Sequence, residues 1–351
     1  MSPLPALPLS VLDLAPVVTG RTATDALLGT RRLAQHVEDL GFTRFWLAEH
    51  HNMPGVASSA PTVIIGDVAS HTRRIRVGSG GVMLPNHPPL VVAEQFGTLA
   101  ALHPGRIDVG LGRAPGTDQL TARALRRSVG ALSDDDFPQQ LAELIGFFRG
   151  SFPAGHPYRN ILAVPSDGEG PPLWLLGSSG YSGALAGILG LPFAFAHHFS
   201  AQNTVPALDI YRRSFEPTGA QGALTAPYAM VAAAAVVADT DEEADRLALP
   251  GALQFLKLRQ GNPTTMPTVD QAHAHPWTAP ERAFAAGRRE GQLGGGVETV
   301  RRQLSELLAA TAADELMVTT MVPEHDARLR SMTLLRGLFD AAELPQGLVA
   351  A

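Results

Sequence analysis

The strongest constraint in this chain is a rhythm. Short apolar runs suited to buried strands alternate with longer amphipathic runs over most of its length. Strand-like runs fall at Leu9–Ala15, Phe42–Ala48, Ile75–Leu84, Arg106–Gly112, Leu173–Gly177, Phe193–Ala196, Tyr228–Ala238 and Glu315–Met321. Helix-like runs fill the intervals at Thr24–Leu40, Ala60–His71, Leu90–Leu102, Phe137–Phe148, Ser182–Leu189, Val205–Phe215, Asp241–Gln260 and Val297–Ala310. Near-continuous apolar runs are what strands show when helices cover both faces of a parallel sheet. The punctuation agrees. Gly41 and Gly190 close helices ahead of strands, and Asp241-Glu242-Glu243 places carboxylates at a helix start, where the dipole favours them. Eight such units in 351 residues predict an α/β fold, a (β/α)8 TIM barrel forming one domain over residues 1–351. A doubly wound sheet is the alternative.

Two stretches exceed what a barrel needs. Residues 113–170 follow the fourth strand and hold an extra helix and then a Pro/Gly-rich loop. Residues 261–296 follow the seventh, open on Asn262-Pro263-Thr264-Thr265-Met266-Pro267 and close on Gly294-Gly295-Gly296. Long loops on compact domains are usually functional or disordered, so the second insertion reads either as a mobile lid or as a passive surface excursion.

Composition narrows the chemistry. Hydrophobic residues make up 45% and charged residues 17%, enough for a large core. The net charge of −6, with no basic run, offers nothing to nucleic acid or an anionic membrane. The longest apolar run, Ala229–Ala238, is about half a membrane span. No basic segment precedes an apolar stretch at the N-terminus, and a soluble cytoplasmic protein is expected. The absence of cysteine removes thiol nucleophiles, disulfides and thiolate metal sites. The single lysine, Lys257, lies in a helical run away from any Gly-rich loop, which argues against a P-loop and a Schiff base. Any phosphate is therefore left to arginine and backbone N–H groups.

Chemistry-bearing residues gather where strands end, the edge at which α/β folds place their sites. After the second strand come Glu49, His50 and His51. Histidine is suited to proton transfer near neutral pH, and adjacent residues on a strand face opposite ways, so at most one imidazole points at a ligand; His50 is preferred. The third strand carries Gly80-Gly81 and then Met83. Glycine weakens a strand, so the pair marks a close ligand or a bulge. The fourth ends at Gly112 and Arg113, an arginine placed to clamp an anion, with Arg123 on the following helix. After the fifth, Ser178-Ser179-Gly180-Tyr181-Ser182 open a helix, either as a phosphate cradle or as ordinary N-capping. The sixth ends at His197 and His198, each a candidate for substrate contact or for simple packing. Neither histidine pair can chelate simply, no His-Glu-x-x-His motif exists, and no metal site is expected.

With these residues assembled, the chain resembles the luciferase-like flavin-dependent monooxygenases, in their single-polypeptide bacterial branch. The resemblance runs over nearly the whole length. It is densest at Trp46–His51, at Gly78–Pro85 with Asn86-His87-Pro88, at Gly105–Arg113 and at Leu176–Ser182. It implies a barrel that binds reduced FMN at its C-terminal mouth and uses O2, through a flavin C4a-hydroperoxide, to oxygenate a small organic substrate. The FMNH2 would come from a separate NAD(P)H-dependent flavin reductase, and the protein would be a homodimer, with the helices at Ala60–His71 and Leu90–Leu102 as candidate interface. By resemblance His50 is the catalytic histidine beside the flavin, with Glu49 and His51 as its neighbours. Gly80-Gly81 matches a non-proline cis peptide beside the isoalloxazine ring. Arg113, Arg123, Ser179 and Ser182 match phosphate-binding positions. Two departures count against light emission: Gly112 stands where light-emitting luciferases carry a reactive cysteine, and Ser178 where they carry an acid. The same resemblance keeps open, as alternatives, an FMN- or F420-dependent reductase or dehydrogenase on the same barrel, since some relatives use the deazaflavin F420, and a non-catalytic flavin-binding role.

Overall fold

A computed structural model describes residues 4, 6–114, 116–126, 136–165, 168, 170–217, 224–289 and 291–339. Eight parallel strands close into a barrel: β1 (Leu9–Asp13), β2 (Arg44–Leu47), β3 (Arg76–Met83), β4 (Ile107–Gly112), β5 (Leu173–Gly177), β6 (Phe193–Ala196), β7 (Ala229–Ala238) and β9 (Glu315–Thr319). Neighbours in sequence pair from β1 to β7, β7 pairs with β9, and β9 returns to β1. That closure excludes the doubly wound sheet. Around the barrel lie α1 (Ala23–Asp39), α2 (Pro61–His71), α3 (Pro89–Leu102), α4 (Gln119–Arg126), α5 (Phe137–Arg149), α6 (Gly180–Ile188), α7 (Thr204–Arg213), α8 (Asp241–Arg259), α9 (Val269–Ala274), α10 (Ala279–Arg289), α11 (Val297–Thr311) and α12 (His325–Arg336). No described helix is long and apolar enough to cross a membrane.

Strand alternation sorts the core into two. Leu9, Val11, Phe45, Leu47, Val77 and Val109 face outward and pack under the helices. Leu12, Trp46, Trp174, Met230 and Met317 face the barrel axis. Below them sits a buried layer of charge. Arg44 donates to Asp108 Oδ2 at 2.8 Å and to Glu315 Oε1 at 3.1 Å, and Arg76 donates to Asp108 Oδ1 at 2.7 Å. Tyr228 donates to Glu315 Oε2 at 2.9 Å, Trp46 Nε1 to Asp108 Oδ2 at 3.1 Å, and the Ser10 hydroxyl to Glu315. Two guanidinium groups meet two carboxylates, so the layer is neutral. Trp46 and Trp174 lie on it edge to face, with centroids 5.2 Å apart, and close the barrel floor. Towards the strand C-termini the axial positions become Ala48, Gly80, Gly112, Ala196 and Ala232. The interior fills at the bottom and opens at the top because side-chain volume vanishes in that direction.

The insertions depart from the sequence reading. Residues 261–296 hold α9, α10 and a ninth strand, β8 (Gln292–Gly296), which pairs with the outer half of β7 from Ala234 to Ala238. Gly294-Gly295-Gly296 therefore ends a strand, not a loop. Glycine-rich sequence concealed it; β7 is ten residues long, twice β1, and its projecting half needs a partner. The insertion is also pinned at its start, where buried Met266 exchanges backbone hydrogen bonds with Val17 and Thr19 at 2.8 Å. In the other insertion, the described residues give α4, α5 and an aromatic cluster of Phe147, Phe152, His156 and Tyr158. Part of it, residues 127–135 among them, lies outside the described residues.

Asp108→Ala should destabilise the protein by about 3–5 kcal/mol, since it leaves Arg44 and Arg76 buried without their shared carboxylate. Burial alone raises the Asp108 pKa, but Arg44 and Arg76 outweigh it and hold the carboxyl below its usual range. Its contribution is complete above the unfolded Asp value of about 3.9 and is lost as pH falls through the lower folded value. Denaturant melts of wild type and variant, repeated down to pH 3, check both statements; equal stability of the two at pH 7 contradicts them.

Candidate active site

A cavity of about 390 Å³ opens at the C-terminal mouth, within the range of small-ligand sites. Strand parity decides what enters it. Trp46, Ala48 and His50 line it; Glu49 and His51 face the other way and do not. His50 Nδ1 donates to the Gly116 carbonyl at 3.1 Å, which fixes the tautomer and leaves Nε2 as an acceptor. Gly116 can deliver that carbonyl because it sits at φ +65°, where an added Cβ would also lie 2.9 Å from the Glu49 carbonyl oxygen. Burial pushes the His50 pKa below its ordinary value, outweighing the Gly116 bond and the Glu49 charge, so the imidazole is a neutral base at pH 7.

Glu49 is instead the hub behind the wall. Its Oε1 accepts from Nε2 of both His51 and His87 at 2.8 Å, and its Oε2 accepts the Met83 N–H at 3.0 Å. Burial raises its pKa; the imidazole and backbone donors reverse that and keep it ionised. The three side chains bring ligand atoms within 4.8 Å of one another, a grouping of carboxylate and imidazoles that the sequence spacing does not reveal. The hub ties the end of β2 to the end of β3 and so fixes Met83, which lines the cavity. Nothing local in the sequence marks His87 as a partner of Glu49.

The Gly80–Gly81 peptide is cis, and the register of β3 against β4 shifts between Gly80 and Val82. The bulge and the close approach are thus one feature. A Cβ at Gly80 would meet Leu12 Cδ1 at 2.6 Å, and one at Gly81 the Gly110 carbonyl oxygen at 2.7 Å. Both glycines present bare backbone to the cavity.

Across the mouth, Arg113, Ser178, Ser179 and Ser182 line the cavity beside the start of α6. Ser179 is the N-cap, but its side chain makes no capping hydrogen bond. The ordinary N-cap alternative therefore fails for Ser179, and its hydroxyl and the first-turn N–H groups are left for an anion. The Arg113 guanidinium carbon lies 4.5 Å from the centroid of the half-exposed Tyr181 ring. Gly180 lies against Ile210, and neither it nor Tyr181 lines the cavity. Arg123 stands exposed on α4, also outside the lining, because the helical repeat carries it to the outer face.

The second histidine pair separates in the same way. His198 lines the cavity; its Nδ1 donates to the Ala232 carbonyl at 2.8 Å, and burial pushes its pKa down to about 4. His197 turns aside to the Thr204 hydroxyl at 2.7 Å and is not part of the lining. Sequence reasoning missed the far wall altogether. Gly251, Phe255 and Leu258 of α8, with Arg288 of α10 and Gln292 of β8, close the cavity on that side. They look like ordinary residues of amphipathic helices until the insertion folds over them.

The sequence profile of luciferase-like monooxygenases matches residues 9–316. The chain belongs to the luciferase-like monooxygenase family. It is an oxidoreductase of that family. It is 50% identical over 327 residues to the protein YvbT of Bacillus subtilis (strain 168), and 46% identical over 325 to a luciferase-like monooxygenase of Escherichia coli (strain K12), covering 93% of this chain and 95% of either relative. It is 35% identical to the N-acetyl-S-alkylcysteine monooxygenase of B. subtilis, over 95% of this chain and 99% of that one. Its fold matches apo-MsnO8 with a TM-score of 0.84 at 37% identity, over 95% and 98% of the two chains. More distant folds include the FMN-bound oxygenating constituent of 3,6-diketocamphane monooxygenase from Pseudomonas putida, at TM-score 0.70 and 19% identity, over 97% and 99%. Another is an F420-dependent secondary alcohol dehydrogenase, at 0.66 and 14%, over 95% and 100%.

Glu49→Gln should cost about 1–3 kcal/mol of stability, because one acceptor oxygen serving two imidazoles becomes an amide that must reorient against them. Thermal unfolding of the variant measures it; an unchanged midpoint contradicts the hub.

Proposed function

We propose that the chain is a monooxygenase that binds reduced FMN in this cavity and uses O2 to oxygenate a small organic substrate. The carrying observation is that an uncapped helix start with Arg113 and the neutral Nε2 of His50 open into one cavity. The residues fit the cofactor: α6, Ser179, Ser182 and Arg113 would hold the phosphate, and Gly80-Gly81 offers bare backbone to a flat ring. When bound, reduced FMN supplies the electrons that activate O2 for transfer of an oxygen atom. The protein's own part is placement, exclusion of water and proton control. His50, neutral and fixed by Gly116, takes or returns a proton at Nε2. Trp46 and Leu12 wall the floor against water, and α8 and α10 with the start of the 261–296 insertion cover the side; closure of that insertion as a lid is part of this reading. The reduced flavin comes from a separate NAD(P)H-dependent reductase. Two copies pair through α2 and α3, where Val63 is 72% and Leu102 68% exposed, and sedimentation equilibrium should give twice the chain mass.

The competing reading is F420 chemistry on the same barrel. Anaerobic titration with FMNH2 and with reduced F420 separates the two, and preferential binding of F420 sinks the FMN assignment. Arg113→Met should weaken FMNH2 binding about tenfold or more, the usual range for a charge-assisted contact. His50→Gln should keep FMNH2 affinity but lower coupled oxygenation by about 10²-fold or more, with the O2 consumed appearing as peroxide. Because His50 must be neutral, the acid limb of the wild-type pH profile should lie below pH 6.5; a limb above it counts against His50 as the base.

A further inference from the structure

The far wall of the cavity holds a charge that no described carboxylate answers. Arg288 lies in the last turn of α10 and lines the cavity with Phe255, Leu258 and His198. Its guanidinium carbon sits 3.8 Å from the centroid of the Phe255 ring. Its Nε is buried without a hydrogen-bond partner, and among the described residues no carboxylate pairs with it. The adjacent Arg289 points the other way and pairs with Asp245. Burial lowers the Arg288 pKa with no neighbouring charge to raise it, yet arginine remains protonated in proteins. A half-buried guanidinium whose Nε has no partner is costly unless an anion completes it. Contact with the Phe255 ring takes up no N–H donor, so Nε and the outer donors of the fork stay available, and such an edge suits a bidentate carboxylate.

The phosphate is not the natural occupant. Arg113 and the start of α6 stand at the ends of β4 and β5, whereas Arg288 sits with His198 at the end of β6 and with α8 after β7. Beside the neutral amides of Gln254 and Gln292, this sector presents apolar surface from Phe255, Leu258, Ala252 and Met321. We propose that Arg288 is the specificity residue of the substrate end of the cavity, and that it takes the carboxylate of an organic acid whose apolar body lies against α8. The inference rests on the monooxygenase reading for the word substrate, but the site itself is a property of the protein with or without flavin.

Calorimetric titration with octanoate, 4-phenylbutyrate and N-acetylmethionine, each beside its neutral amide, tests the proposal on the protein with and without FMN. The wild type should bind at least one acid about tenfold or more tighter than its amide. Arg288→Gln should abolish that preference while leaving amide binding and FMN affinity unchanged; Arg288→Lys should retain part of it. Circular dichroism and the unchanged FMN affinity show that the variants are folded. No preference for any acid in the wild type, or a preference that survives in Arg288→Gln, overturns the proposal. A fall in FMN affinity with Arg288→Gln assigns the guanidinium to the cofactor and overturns it as well. If the wild type binds no flavin, the acid-over-amide preference is still read directly, so the two readings fail separately.

Discussion

The barrel depends on the Arg44–Asp108–Arg76–Glu315 layer at its base. Two guanidinium and two carboxyl groups from four strands meet in the buried base of the barrel, and each carboxyl group is shared. Such a layer contributes less net stability than apolar packing of the same volume, but removing one member leaves a bare charge inside. It therefore works as a register lock. A slip of one residue in β2 would send Arg44 outward among the apolar residues beneath the helices and bring Phe45 into the charge layer. Everything above inherits that register: Trp46 over the charges, Ala48 over Trp46, His50 at the rim.

The same parity explains the division of labour at the mouth. His50 reaches the cavity because it is an even number of residues from Arg44. Glu49 and His51 do not, and their chemistry turns to structure. Glu49 gathers His51, His87 and the Met83 N–H and so holds the ends of β2 and β3 together. The loop after β4 then folds back so that Gly116 sets the His50 tautomer and Thr117 bonds the His51 carbonyl. Residues adjacent in sequence thus serve different faces of one wall. The pair His197 and His198 repeats the pattern, one imidazole facing Thr204 and the other the cavity.

Much of this was legible in the chain. All eight strand-like runs fall within two residues of the barrel strands, β1 to β7 and the closing β9. Local periodicity carries that information because each strand is buried on both faces. The sequence also placed His50, Gly80-Gly81, Arg113 and Ser179 at strand ends that meet at one mouth. What it missed has a common cause. β8 is glycine-rich and exists only because β7 projects beyond the barrel. Arg123 and His197 sit near the right elements, but on faces that the helical repeat and a local turn direct elsewhere. Phe255 and Arg288 belong to helices whose inner faces are defined only when the insertion packs across the mouth.

The sequence by itself determined the α/β class, the number and place of the barrel strands and the family, since these follow from the spacing of strands, helices and strand-end motifs along one dimension. Only the tertiary structure decided that the sheet closes on itself, which of two adjacent imidazoles faces the cavity, that Glu49 serves two histidines, and that Arg288 stands against Phe255 with no described carboxylate beside it. Those are relations between residues tens to hundreds of positions apart. They arise from closure of the barrel and from volume left empty above the tryptophan floor, neither of which leaves a mark on any local stretch of chain.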